Sequence, residues 1–485
     1  MSARAKSLML FTAAALAGAG TASAQVKTGL ATQVSRPPAT AAKSAAPAAR
    51  APASAKPETA ATGAPVPGNP DYTPQAGQAP GAAPLLPPAP ALPPVVWDLV
   101  SAQDLLYFIQ QIGKEGLSPA DYDPAGLAAA IGAGDPLTVS REATDRFNRL
   151  SSDLALGHVK RAARIDWFLT DNDLDAAKQD ALLRSALAQH NVAAALSGLL
   201  PTHPQYAALK AALEMTPATE TAKIARIRLN LDRWRWLPRD LGQKYIIVNV
   251  PSFYATLVQN GVNRWKQRAI AGKLSTPTPQ LSATAVGVIL NPWWEVPKSI
   301  EHEAAGKKGF VPVVGPDGKV QRWRQPPGPT NALGQVKFVM PNSKAIYLHD
   351  TNARSRFNDS ARSLSHGCVR TQHILDLATE LLGDDGGEWT ADKIQATLDS
   401  KKSVQANFVK PLPVYIVYFS SAALLDGSIV DYKDLYGRDS LALAALQMKD
   451  GGASLAKPKA KPADQVAGAV KAKPTGAAKD QVAAR

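Results

Sequence analysis

The chain has 485 residues, of which 45% are hydrophobic, with 39 prolines, a single cysteine and a formal net charge of +14. One cysteine excludes an intramolecular disulfide framework. Residues 1–95 and 451–485 each contribute a charge of +5, which leaves only +4 for residues 96–450. Nucleic acid is therefore not an expected partner of the folded part.

The first 24 residues have the composition of a secretory signal peptide. Arg4 and Lys6 precede an apolar run from Leu8 to Ala19, and Ala22-Ser23-Ala24 follows it. Cleavage after Ala24 is expected, which predicts an exported protein of the periplasm or cell envelope. No later segment has about 20 uninterrupted apolar residues, so no transmembrane segment is expected after cleavage. An uncleaved anchor is the alternative.

Two segments of low complexity flank the predicted folded part. Residues 25–95 consist largely of alanine, proline, glycine and small polar residues. Because they have too little apolar bulk to offset the entropy of ordering, a disordered linker is predicted. Residues 451–485 are predicted to be a disordered basic tail. Anionic wall polymers or a membrane surface would attract these ends, and a purely solubilising role is the alternative.

Residues 96–243 have the apolar spacing of helices. Ser101 and Asp104 predict the N-terminus of one helix. A buried helical stripe is predicted at Phe147, Leu150 and Leu154. The last predicted helix ends before Pro238. This part is therefore expected to be a helical scaffold domain.

The pattern changes at Lys244 to alternating and β-branched residues, which are typical of strands. Asn260-Gly261 predicts a two-residue hairpin turn. Further strands are predicted at 285–290, 311–314, 336–340, 345–348 and 414–419. One helix is predicted here, from Gln372 to Leu382. Residues 244–450 are thus expected to form a sheet-rich domain, and the fold class is α+β.

The only cysteine, Cys368, stands close to two histidines in the sequence. His366 lies two residues before it, and His349 lies nineteen residues before it. A thiol attacks as its thiolate, so a base or cation must activate it. Gly367 permits a turn in which the amides of residues 367 and 368 face one point, as oxyanion stabilisation requires. The dipole of the helix predicted after the cysteine would favour the thiolate.

The spacing of His349, fifteen residues and then Ser365-His366-Gly367-Cys368 resembles the signature of L,D-transpeptidases, the YkuD-type cysteine enzymes that cross-link bacterial peptidoglycan. The flanking IYLHDT and the arginine after CV are similar to the large periplasmic branch of that family. The resemblance implies that Cys368 is the nucleophile and His349 the general base. It also implies a pocket shaped by Ser365, His366, Gly367 and Arg370 and a substrate cleft lined by Trp294 and Tyr347.

Peptidoglycan stem peptides are the partners that the resemblance implies. Cys368 would form a thioester with one stem. An amine of a second stem would then resolve this thioester and give a 3-3 cross-link. No HExxH, CxxC, P-loop or GxGxxG motif stands in the chain, so neither a metal nor a cofactor is expected. The sequence departs from the family in two ways. LPTHPQYAALKAALE runs almost directly into KIARIRLNLDRWRWLP, which leaves no room for a separate peptidoglycan-binding module, and the lid segment NPWWEVPKSIEHEAAGKKGF is expected to be a short loop.

Three alternatives are compatible with the sequence. With water as the acceptor, the same cysteine would make a carboxypeptidase or endopeptidase of peptidoglycan. A non-catalytic protein would bind the wall through its basic ends. In the third alternative, Cys368 is a buried residue without a catalytic role. A lone thiol in an exported chain has no intramolecular disulfide partner, however, so a cysteine without a function would be a liability there.

Overall fold

The computed structural model describes residues 93–170, 173–424 and 428–455, all within the compact unit Ala89–Arg485. The predicted signal peptide, nearly all of the linker and most of the tail lie outside the described residues. Within the described ranges, no helix combines the length and the apolarity needed to cross a membrane.

The scaffold part is built from helices whose starts have local causes. The helices are α1 (Leu99–Gln111), α2 (Pro124–Ala133), α3 (Pro136–Leu156), α4 (Ala176–Ala188), α5 (Val192–Ser197), α6 (Pro204–Met215) and α7 (Thr221–Arg235). Asp98 caps α1 by accepting the Ser101 N–H at 2.9 Å. The expectation that Ser101 is the N-cap is wrong, because Ser101 lies inside α1 and its hydroxyl donates to Asp98, which is the N-cap. Asp104 instead accepts the amide of Ala193 at 2.8 Å and ties α1 to α5.

The predicted apolar stripe of α3 forms the centre of the first core. Phe147, Leu150 and Leu154 are 0% exposed and pack with Leu105 and Ile109 of α1. Burying each of these side chains contributes roughly 2 kcal/mol. The prediction of a helical scaffold is therefore confirmed, and apolar burial fixes α3 against α1.

Strands follow from Lys244, as the alternating pattern predicts. They are β1 (Lys244–Asn249), β2 (Tyr254–Gln259), β3 (Val262–Gly272), β4 (Leu281–Leu290), β5 (Trp294–Glu295), β6 (Val311–Val314), β7 (Val320–Gln325), β8 (Val336–Val339), β9 (Leu348–His349), β10 (Ser363–Ser365), β11 (Val369–Thr371), β12 (Val404–Val417), β13 (Ser421–Ala423) and β14 (Ile429–Asp431). Within the described residues, the main sheet has nine strands in the order β10-β3-β11-β9-β8-β4-β12-β1-β2.

The main sheet closes on itself through β3. The first part of β3 pairs with β2 across the turn at Asn260 and Gly261, whose φ angles are +51° and +75°. Its residues Ala269 and Ile270 pair with β11. The predicted hairpin is confirmed. The strand expected at 345–348 is wrong in its start, because Ala345 has a φ of +52° and β9 begins only at Leu348.

More helices accompany the sheet than the sequence predicts. They are α8 (Ile374–Asp384), α9 (Ala391–Asp399) and α10 (Asp439–Leu446). The helix expected at 372–382 is confirmed as α8 with a small shift. The expectation of a single helix is wrong, since Thr390 caps α9 by accepting the Lys393 N–H at 3.2 Å. Leu377 of α8 and Ile394 of α9 belong to the core under the sheet.

The end of the described chain returns to the scaffold. Helix α10 shares an apolar core with α7. His158 Nε2 lies 2.8 Å from the carbonyl oxygen of Met448, and the Lys160 N–H donates to the carbonyl oxygen of Gly451 at 2.8 Å. Residues 451–455, which were expected in the tail, thus belong to the folded unit because their backbone completes hydrogen bonds of the scaffold.

Candidate active site

A cavity of about 280 Å³ lies between the main sheet and the lid, residues 291–335. Its lining includes nearly all of the predicted site residues: Trp294, Tyr347, His349, Ser365, His366, Cys368 and Arg370. Gly367, the remaining one, is buried in the turn before the cysteine. The fold therefore brings all eight predicted residues together.

Two parallel strands bring the predicted residues to one face of the sheet. β9 pairs with β11 so that His349 lies opposite Arg370, and partners in register point to the same side. Tyr347 and Cys368 each stand two residues earlier, so side-chain alternation puts them on that side as well. Strand register thus joins residues that are far apart in the sequence.

Ser365 and Gly367 shape the turn that carries the cysteine. Gly367 has a φ of +116°, a conformation that strains any residue with a side chain. Ser365 Oγ accepts the Gly367 N–H at 3.1 Å and donates to the Cys368 carbonyl oxygen at 2.5 Å. The expectation that both amides of the turn face one point is wrong for Gly367, because its N–H is already bonded within the turn.

The Cys368 thiol is half-buried and uncharged at neutral pH. Burial raises its pKa, and hydrogen bonds to the backbone and side chain of Tyr347, together with the charge of Lys337, offset part of that rise. The expectation that a helix dipole favours the Cys368 thiolate is wrong. β11 separates the cysteine from α8, which begins only at Ile374. The thiol must therefore lose its proton as it reacts.

His349 is buried and uncharged. Burial lowers its pKa to about 3; the Arg370 guanidinium acts in the same direction, and a hydrogen bond to the Asp350 backbone acts against it. Its Nδ1 atom has no hydrogen-bond partner among the residues that the structure describes. A neutral imidazole with a free nitrogen, in the same cavity as a neutral thiol, can accept the thiol proton.

The strand-rich part of the chain matches a known family. Residues 243–404 match the YkuD model, described as the L,D-transpeptidase catalytic domain, and residues 97–213 match the model of a Scaffold domain. Residues 243–404 are a YkuD domain. A Haemophilus influenzae protein named "Putative L,D-transpeptidase" is 34% identical over 250 residues, which are 46% of this chain and 50% of that protein. The chain thus spans about half the length of the curated relative it matches.

Solved L,D-transpeptidase structures are more distant in sequence from the YkuD domain. A mutant of the Enterococcus faecium enzyme is 11% identical with a TM-score of 0.21, over 37% of this chain and 52% of that chain. The Mycobacterium smegmatis enzyme is 16% identical with a TM-score of 0.19, over 36% of this chain and 58% of that chain.

The sequence does not predict one cation beside the site of the YkuD domain. Lys337 of β8 lies opposite His349 in the register of β8 and β9, and its Nζ is 4.1 Å from the centroid of the Tyr347 ring. Burial lowers the pKa of Lys337, whereas the negative charge of a Cys368 thiolate raises it. A strand lysine gives no signal by itself, because lysines usually face solvent.

The lid of the YkuD domain is more ordered than the short loop that the sequence predicts. β5, β7 and β6 form a separate three-stranded sheet within it. Val296, Ile300 and Ala304 are buried there, with Trp294 and Phe310 packed against them. The strand expected at 311–314 is confirmed as β6. The expectation of a short loop over residues 291–310 is wrong, because the branched and aromatic residues of this segment bury one another.

Two hydrogen bonds connect the lid to the opposite wall of the cavity. The Trp294 indole bonds to the Tyr347 hydroxyl, which opposes the rise that burial causes in the pKa of Tyr347. Glu303 Oε1 lies 3.1 Å from His366 Nε2. His366 Nε2 is thus engaged with the lid, and the Nζ atom of Lys273 lies 3.2 Å from the same nitrogen.

Proposed function

We propose that this protein is an exported L,D-transpeptidase that forms 3-3 cross-links between peptidoglycan stem peptides. The observation that carries the proposal is the meeting, in one cavity, of the Cys368 thiol and an uncharged His349 whose Nδ1 is free. The match of residues 243–404 to the L,D-transpeptidase catalytic domain supports it. Cys368 is the nucleophile and His349 is the general base.

Acylation consumes a tetrapeptide stem. Cys368 Sγ bonds to the carbonyl carbon of the third residue while His349 takes the thiol proton. The carbonyl π electrons move to the oxygen, and the tetrahedral intermediate collapses when the C–N bond to D-alanine breaks. His349 returns its proton to the leaving amine, so the products are a thioester and free D-alanine.

Transfer then uses a second stem. The side-chain amine of its diamino acid attacks the thioester carbon, His349 takes a proton from the attacking nitrogen, and the C–S bond breaks. The proton passes to the departing thiolate, which restores the thiol. Val296, Ile300 and Phe310 give the lid side of the cavity an apolar wall. This wall favours an amine acceptor over water, because it limits the access of solvent to the thioester.

The other predicted residues support this chemistry. Ser365 and Gly367 hold the turn of the nucleophile, and Arg370 helps to keep the base unprotonated through its charge. Tyr347 contacts the thiol, and Trp294 orients the Tyr347 hydroxyl. No step of the proposal requires a metal or cofactor.

The proposal includes export to the periplasm or cell envelope, where peptidoglycan lies. Its support is the predicted signal peptide of residues 1–24. The basic ends then serve as weak electrostatic contacts with the wall or the membrane surface, which high salt screens.

Mass spectrometry of digested sacculi tests the proposal. Cells that produce the wild type should contain 3-3 cross-linked dimers, and cells that produce equal amounts of folded Cys368→Ala should lack them. Trimmed stems without dimers would indicate a carboxypeptidase or endopeptidase. An unchanged cellular function in Cys368→Ala would indicate a non-catalytic wall-binding protein.

Carbapenem acylation tests the nucleophile directly. The strained β-lactam carbonyl replaces the scissile carbonyl of the stem, and a thioester with Cys368 adds the mass of one drug molecule. Intact mass spectrometry should show that adduct on the wild type and none on Cys368→Ser. An adduct that maps to another residue contradicts the assignment.

A further inference from the structure

Thr278, in the connection between β3 and β4, contacts the turn of residues 365–368, which carries the proposed nucleophile. The residue is 0% exposed. Its hydroxyl accepts the Gly272 N–H at 2.9 Å and donates to the Gly367 carbonyl oxygen at 2.7 Å. The hydroxyl proton is thus committed to a single acceptor, the carbonyl that immediately precedes Cys368.

This bond fixes the direction of the next amide. The Gly367 carbonyl and the Cys368 N–H belong to one planar trans peptide unit, in which C=O and N–H point in opposite directions. Because Thr278 holds the carbonyl toward the protein interior, the Cys368 N–H points the other way, toward the side of the cavity. That N–H has no hydrogen-bond acceptor within the described part of the chain. The Gly367 N–H is not available, since Ser365 Oγ accepts it.

Thr278 is itself held by residues from distant parts of the chain. Its N–H donates to the Tyr436 hydroxyl at 3.3 Å, and that hydroxyl donates to the Gly272 carbonyl oxygen at 2.7 Å. Arg438, which is 2% exposed, donates from Nη2 to the Thr278 carbonyl oxygen at 3.0 Å. The same Nη2 lies 2.7 Å from Asp166 Oδ2 in the scaffold part. The placement of Thr278 thus depends on the scaffold and on the C-terminal segment.

We propose that Thr278 is a positioning residue that aims the Cys368 N–H at the oxyanion formed when the thiol attacks a carbonyl. The inference rests on the proposed function for its substrate, but the geometry concerns any carbonyl that Cys368 attacks. As the S–C bond forms, the carbonyl π electrons move to oxygen, and the aimed N–H donates a hydrogen bond to that oxygen. Alkylation by iodoacetamide differs, because sulfur displaces iodide at carbon and no oxyanion forms.

This difference separates positioning from general stability. Thr278→Val keeps the shape but removes the hydroxyl, and it should lower the rate of carbapenem acylation by about 10-fold to 100-fold. The iodoacetamide rate of the same variant should stay within about two-fold of the wild type across the pH range. Thr278→Ser keeps the hydroxyl and should restore acylation.

Two outcomes would overturn the inference. Equal losses of acylation and alkylation in Thr278→Val would show a general disturbance of the turn, and unchanged acylation would show that the bond to Gly367 is not needed. If Thr278→Val does not fold, Tyr436→Phe provides the second measurement, because it removes the hydroxyl that holds Thr278. A smaller loss of acylation with unchanged alkylation is expected there, and equal losses would again contradict the inference.

Alkylation and acylation of the wild type show whether a negative result contradicts the role of Thr278 or the proposed function. A folded wild type that is alkylated at Cys368 but never acylated by a carbapenem contradicts the proposed function. A wild type that is acylated, beside a Thr278→Val variant that is acylated equally fast, contradicts only the role of Thr278.

Discussion

The two walls of the cavity are built differently. The wall that carries Cys368 and His349 consists of strands of the main sheet, whose neighbouring residues Leu348 and Val369 are 0% exposed. The lid has a core of only a few residues, and its strands expose Val314 by 54% and Val320 by 47%. Segments with few buried apolar contacts open at lower free energy than core strands. The reacting groups therefore lie on the rigid wall, and the lid is the wall that can adapt to substrate.

The largest effect is expected from the rigid wall. His349→Ala removes the proposed base and should lower the acylation rate by about 10²-fold to 10⁴-fold. His366→Ala should cost only a few-fold, because His366 bonds to Glu303 of the lid. Stopped-flow acylation of both variants, with melting curves as the control for folding, measures the contrast. Equal losses in two folded variants contradict the assignment of the base.

The rigid wall should also make the protein sensitive to acid. The pKa of His349 is about 3 in the folded state and about 6.5 when unfolded, so the residue is neutral in both states above pH 6.5. As the pH falls from about 6.5 toward 3, the unfolded state binds a proton that the folded state excludes. The free energy of unfolding should fall by up to about 1.4 kcal/mol per pH unit through this residue.

His349→Gln tests that sensitivity, because it removes the titrating group and keeps a polar side chain. Urea unfolding at several pH values between 7.5 and 4 should give a shallower slope for the variant. His203 of the scaffold, whose pKa burial lowers to about 4, remains in both proteins and cancels in the comparison. Identical slopes would show that His349 does not titrate in this way.

A moderate effect is expected at Lys337, which lies opposite His349 in the register of β8 and β9. Lys337→Met removes the positive charge that favours the thiolate, so the apparent thiol pKa should rise and acylation at neutral pH should slow a few-fold. The pH profile of iodoacetamide alkylation measures the shift. Lys337→Arg keeps the charge and serves as the control; a shift of the same size in that variant would point to packing instead.

The smallest effect is expected in the lid. Trp294→Phe keeps an aromatic ring beside Phe310 but removes the indole N–H that bonds to Tyr347. A neutral hydrogen bond of this kind contributes about 1 kcal/mol, so KM should rise a few-fold while kcat changes less. Steady-state kinetics with a stem peptide measures both. A loss of more than 100-fold in kcat would mean that the lid takes part in the chemical step, and the proposed difference between the two walls would then be wrong.

The sequence predicts the rigid wall better than the lid. The spacing from His349 to Cys368 and the hairpin at Asn260-Gly261 depend on local residues, and both are visible without a structure. Within the lid the sequence predicts β6, but it predicts a loop over residues 291–310, because β5 has only two residues and is stabilised by pairing with β7 rather than by a long alternating pattern.

The residues that support the site were harder to predict. Lys337 and Thr278 matter only through register and hydrogen bonds to distant segments, and neither residue type is unusual in its local sequence. The pKa of Cys368 was expected to fall, whereas burial raises it, because the sequence reveals neighbouring charges more readily than it reveals desolvation. The helix predicted after the cysteine exists, but β11 intervenes, and a three-residue strand leaves little pattern to detect.

The return of α10 and Gly451 to the scaffold has a consequence for biogenesis. A ribosome makes the scaffold helices first, yet the core around α7 needs α10, and the hydrogen bond from Lys160 needs Gly451. The scaffold therefore cannot complete its packing until synthesis reaches that point. We expect the emerging chain to stay incompletely folded until then, which agrees with the export that we propose, because a secretion channel passes chains that have not folded.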